Sequence, residues 1–160
     1  LGDVYKRQIM QTTFTADDLW NLLCEQAELL DDLIEFGGLQ RQAIEANRMS
    51  ELIAILGEKQ PHIERLEQVR RQLLAWQPEI EQSLVWPVAN MRQQCQQARN
   101  RSAEKFVALI ALEQACENAV VESRAQIQDR LRNFESSRSA AAAYQSQTPV
   151  PAHGDFSSIG

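Results

Sequence analysis

Apolar residues recur at three- and four-residue steps over most of this 160-residue chain. That spacing lays one face of an α-helix against a core. Leu19, Leu22, Leu23, Leu29, Leu30, Leu33, Ile34 and Phe36 form the first stripe. Thr15 precedes it as a helix cap, and Asp17 and Asp18 suit the positive end of the helix dipole. Gly37-Gly38 interrupts the series at about 1 kcal/mol per glycine relative to alanine, so either the helix bends there or another backbone comes close. The pattern resumes through Leu39 and Ile44 and fades at Asn47. A second stripe takes in Met49, Leu52, Ile53, Leu56, Ile63, Leu66, Val69 and Leu73, with Ser50 as its cap and a kink expected at Pro61. Ala75 to Glu79 reads as a turn, with Pro78 placed for the first position of a new helix.

The third helical region holds Ile80, Leu84, Val85, Val88 and Met91, with Trp86-Pro87 marking a second kink. A Gln- and Asn-rich stretch from Arg92 to Arg101 joins it to a long final run. There Phe106, Leu109, Ile110, Cys116, Val120, Ile127, Leu131 and Phe134 keep helical spacing, while Val107 and Leu112 fall off the stripe and suit a second neighbouring helix. After Arg138 the composition turns to Ser, Ala, Gln, Pro and Gly. The expected fold is all-α: an antiparallel bundle or hairpin of three to four long amphipathic helices, with a disordered C-terminal tail. Residues 10–138 make the helical domain and 139–160 the tail. Residues 1–9 are set aside as a non-native leader, because Leu1 to Gln8 shares no periodicity with the rest and reads like translated sequencing adapter; Met10 is the expected start.

Composition supports a packed helical domain. Hydrophobic residues make up 44% and charged residues 24%, with only 6 Gly and 5 Pro. The net charge of -6 argues against nucleic acid, which requires a concentrated basic surface. Eight acids and one base lie between Asp17 and Glu45, against eight bases and six acids between Arg92 and Arg138. The plain expectation is that the acidic first helix lies near the more basic last one. Cys24, Cys95 and Cys116 are an odd set without paired spacing, which suits buried free thiols in a reducing compartment. No membrane span or signal peptide is seen, so a cytoplasmic protein is expected.

Chemistry-bearing motifs are missing. His62 and His153 have no Cys or His within helical reach, so no metal site is expected. No Glu is followed three residues later by His, as a di-metal carboxylate bundle requires. There is neither a nucleophile elbow nor a phosphate-cradling loop. The reading is of a protein without enzymatic activity and without a cofactor, working through amphipathic surface.

The leucine-rich run Leu29-Leu30-Asp31-Asp32-Leu33-Ile34, the segment Glu51 to Leu56 followed by Lys59 and Ile63, the polar link and the long last helix together resemble FlgN-type flagellar export chaperones over Leu19 to Tyr144. The resemblance implies a monomer or weak homodimer in the cytoplasm that holds hook-associated flagellar proteins before type III secretion. It implies a cargo site on the C-terminal amphipathic helix, here Ile127, Leu131 and Phe134. It also implies an aromatic residue just beyond that helix, here Tyr144, docking on the cytoplasmic domain of the export gate. A structural coiled-coil or adaptor protein that self-associates through the same stripes is the alternative, and a di-metal bundle enzyme is a distant third.

Overall fold

The computed structural model describes residues 14–76, 78–147 and 149. These form four helices, α1 Ala16–Glu45, α2 Met49–Leu74, α3 Pro78–Ser83 and α4 Met91–Ser146, with no strand among the described residues. The chain divides into two units, Leu1–Val120 and Val121–Gly160. The leader at 1–9 lies outside the described residues.

α1 starts where the sequence predicts. The Thr15 Oγ1 accepts from the Asp18 amide at 3.2 Å and the Asp18 carboxylate accepts from the Thr15 amide at 3.0 Å, a reciprocal capping box. These bonds hold the Asp18 carboxyl below the ordinary aspartate range. The far end closes just as definitely. Asn47 takes the left-handed conformation (φ 55), and the amides of Asn47 and Arg48 donate back to Ile44 and Ala43 at 3.0 and 2.8 Å. This is the Schellman arrangement, with asparagine where glycine is commoner, and it reverses the chain. The cap of α2 is Arg48, which makes no side-chain cap bond, in place of Ser50.

α1 and α2 pair antiparallel, and the part of α4 up to Val120 lies against both, parallel to α1. Ala16, Leu19, Leu23, Trp76, Met91 and Cys95 form one core cluster at the end where α1 begins. Leu29, Leu30, Leu33, Leu66 and Val69, with Phe106 and Leu109 against them, form the next. A fully buried leucine contributes about 1.5–3 kcal/mol, so these two clusters hold the unit together. The charge asymmetry is used as expected, since Lys105 of α4 reaches Asp31 of α1 at 2.7 Å. Arg65 of α2 adds a forked contact to Glu25 at 2.5 and 3.0 Å.

Four local readings need correction. On α2, Met49, Ile53 and Leu56 are exposed and Ile55 is buried, because Lys59 and Ile55 set the phase of the inward face. The polar stretch from Arg92 to Arg101 is helical and opens α4, since Gln, Arg and Ala are good helix formers and the small Cys95 and Ser102 face inward. Trp86-Pro87 lies in the non-helical connection between α3 and α4, not in a kinked helix. The tail expected from Ser139 is helical as far as Ser146, because Ala140 to Ala143 carry the highest helix propensity; residues 148 and 150–160 lie outside the described residues.

The two glycines have different roles. A Cβ on Gly37 would stand 2.6 Å from Leu112 Cδ2 and 3.0 Å from its Cγ, whereas one on Gly38 would meet nothing within 4 Å. What comes close at Gly37 is the side chain of the off-stripe residue Leu112, where the sequence suggests a bend or another backbone. Beside it Lys59, a residue 5% exposed, donates from its ammonium to Gln40 Oε1 at 3.0 Å and pairs with the Glu113 carboxylate. One cation thus joins α1, α2 and α4.

Gly38→Ala is expected to stabilise the protein by up to about 1 kcal/mol through helix propensity. Gly37→Ala should give no gain or a loss, because Leu112 must move; urea denaturation of both variants measures the difference. By the same assay Glu113→Ala should cost about 1–3 kcal/mol, since it strands a buried ammonium. Lys59→Met should cost less, because Glu113, 38% exposed, keeps water as a partner. A larger loss for Lys59→Met would show that the ion pair itself is the stabilising element.

Candidate functional site

Within the second unit every residue from Arg124 to Gln147 is exposed. This segment is helical to Ser146 through composition: Ala, Gln, Arg and Glu lose little rotamer freedom in a helix. Ile127, Leu131 and Phe134 follow one another at steps of four and three, so their side chains leave one side of the helix. They are 41%, 57% and 66% exposed. Counting by the same steps, Arg124 and Arg138 bracket them, Arg130 and Glu135 border that face, and Asp129 and Arg132 lie off it. The arrangement is a short apolar ridge with a guanidinium at either end, on a helix segment that buries nothing of its own.

Tyr144 is exposed and sits inside the last turns of α4, whereas the sequence reading places it beyond the helix. It stands roughly 15 Å further along the axis than Phe134 at the helical rise of about 1.5 Å per residue, and on another side. The structure therefore brings together Ile127, Leu131 and Phe134 and leaves Tyr144 separate.

The remaining chemistry is quiet. Burial pushes the thiols of Cys24, Cys95 and Cys116 above the usual range, and all three are free. The Cys116 thiol donates to the Gly37 carbonyl at 3.5 Å, in keeping with a packed, neutral side chain. Among the described residues no three His, Cys, Asp or Glu side chains converge as metal ligands would. His62 forms a T-shaped pair with the Phe36 ring and has Asp32 Oδ2 at 3.5 Å, a half-buried contact between α1 and α2. What the sequence reading missed is the Lys59, Gln40 and Glu113 cluster. Its one visible signal was Glu113 standing among Leu109, Cys116 and Val120 on an otherwise apolar stripe.

A family model described as FlgN protein matches residues 10–148. The chain belongs to the FlgN family. No curated protein and no solved structure matches it. Membership makes the chain a flagellar export chaperone, which accords with the all-helical structure of its described residues. Among the described residues no helix of this FlgN protein is long and apolar enough to cross a membrane.

Exposure separates folding from recognition in a way that can be measured. Phe134→Ala should change the unfolding free energy by no more than about 0.5 kcal/mol, as for a surface site. Leu30→Ala, at a position with 0% exposure, should cost about 2–5 kcal/mol. Parallel chemical denaturation decides it, and comparable losses would place Phe134 in a packed environment.

Proposed function

We propose that this FlgN protein is a cytoplasmic chaperone that captures hook-associated flagellar proteins on the Ile127, Leu131 and Phe134 ridge before their type III secretion. The observation that carries this reading is the exposed ridge on a helical segment without buried residues. An apolar stripe at helical spacing is what one helix offers to another, with anchors at one-turn intervals. Cargo segments that are disordered until assembled would fold on binding, and burying their apolar face here would also block premature polymerisation. Arg124 and Arg138 favour a cargo helix with acids flanking its apolar anchors. Tyr144, on another side of α4, is then free to dock on the cytoplasmic domain of the export gate while cargo is held.

Self-association through the same ridge is the competing reading, because two copies would satisfy the same stripe. The test combines light scattering of the free protein with calorimetric titration of a hook-associated protein. A monomer or weak dimer that binds cargo is expected. Phe134→Ala should lose about 2 kcal/mol or more of cargo affinity, as an aromatic anchor does. Tyr144→Ala should leave cargo affinity intact and weaken binding to the gate domain. A tight oligomer that ignores hook-associated proteins would replace the proposal with the coiled-coil adaptor.

A further inference from the structure

Arg70 and Leu74 of α2 and Ala103 and Phe106 of α4 line an open hollow of about 350 Å³ in the first unit. Counting back along α2 from Leu74 at steps of four and three gives Arg70, Glu67, Ile63, Gln60 and Leu56 on one side of the helix. Counting on along α4 from Ala103 by the same steps gives Val107, Ile110 and Gln114. The two helices run antiparallel, and the Lys59–Glu113 pair and the Arg70–Phe106 contact keep these rows level. A groove therefore continues from the hollow between both helices. Its apolar edge is uncovered, since Leu56, Leu74, Val107 and Ile110 are all exposed. The sequence assigns the off-stripe Val107 to a second neighbouring helix, and no described helix of the unit covers it.

Two rows with apolar positions at one-turn spacing are what an amphipathic helix needs on either side of it. Charge narrows the kind of helix. Arg70 and Arg99 line the hollow, and neither Asp nor Glu does. Arg99 is shared with Glu81 of α3, and Glu67, the one acid on the α2 row, has Arg71 at 3.8 Å. Arg70 pairs with no carboxylate among the described residues. Its guanidinium lies 5.2 Å over the Phe106 ring, a stacking contact that leaves the N–H edge available. In a chain of net charge -6, a basic end to an apolar groove selects a partner that brings carboxylates.

We infer that the groove between α2 and α4 docks an amphipathic helix of another protein, one that sets carboxylates beside its apolar anchors at the Arg70 end. The site uses none of the residues of the Ile127, Leu131 and Phe134 ridge and does not rest on the cargo reading.

The experiment titrates the full chain, by fluorescence anisotropy, against a labelled helical peptide of about 18 residues that carries leucines at one-turn intervals and glutamates beside them. A matched peptide has lysine in place of each glutamate. The glutamate peptide should bind saturably, and the lysine peptide about tenfold more weakly or worse. Arg70→Glu should reverse that order. Ile110→Gln should weaken the glutamate peptide about fivefold or more and leave the unfolding midpoint level, because the site is exposed. Phe134→Ala should leave this affinity unchanged. No saturable binding, equal affinity for the two peptides, or an order that survives Arg70→Glu would overturn the inference. Loss of binding in Phe134→Ala with retention in Ile110→Gln would overturn it by assigning the peptide to the ridge. A dimer of the free chain in light scattering that Ile110→Gln dissolves would overturn it by giving the groove to a second copy.

Discussion

The missing side chain at Gly37 decides how α4 meets the helical hairpin. Leu112 occupies the space that a Cβ there would take, and the Cys116 thiol reaches the Gly37 carbonyl from the next turn. With α4 held that close, Glu113 arrives at Lys59 and the ammonium finds its second partner in Gln40. A lysine buried without a counter-charge would be strongly unfavourable, so the cation acts as a register pin: a shift of α4 by one turn would leave it with Gln40 alone. The glycine is costly to α1 as a helix, by about 1 kcal/mol, and the three-helix contact offsets that cost.

Charge and burial cooperate on the same geometry. α1 carries eight acids and one base, and cations on its neighbours offset part of the repulsion among its carboxylates. Arg65 answers Glu25 from α2, and Lys105 answers Asp31 from α4. These pairs are largely exposed, so each is worth no more than a fraction of a kcal/mol to about 1 kcal/mol. Their effect is on orientation: they favour α4 running parallel to α1 along the same line that the leucine clusters already fix.

The helices were legible because long periodic stripes identify them, and the Thr15 cap, the Asn47 stop and the Pro78 start each rest on local backbone chemistry. Periodicity was weaker at choosing between faces. Ile53 and Leu56 compete with Ile55 and Lys59 for the inward side of α2, and apolar counting favours the wrong pair. Only the tertiary partner Glu113 makes a lysine acceptable inside. The end of α4 was misjudged for a related reason: alanine and serine after Arg138 read as a loss of amphipathicity, yet a helix needs only propensity to continue. The ridge of Ile127, Leu131 and Phe134 was visible as a stripe, but its exposure was not, since spacing alone does not say whether a face has a partner.

That distinction bears on how a chaperone of this kind divides its residues. The unit up to Val120 buries Leu19, Leu23, Leu30, Leu33 and Val69 in its own core, so substitutions at those positions act on stability. Among the described residues the segment from Val121 buries none of its large apolar side chains, so tertiary packing adds little to its helical state. Its helical state is therefore weakly held, and a partner that covers the ridge would add order as well as contacts. Ordering has an entropic cost that lowers the net affinity obtained per unit of buried surface. Under the function proposed above this would be an advantage, because a bound partner would have to be held and later released. A ridge of three apolar anchors on a weakly ordered helix meets both demands, whereas a deep, preformed groove would meet only the first.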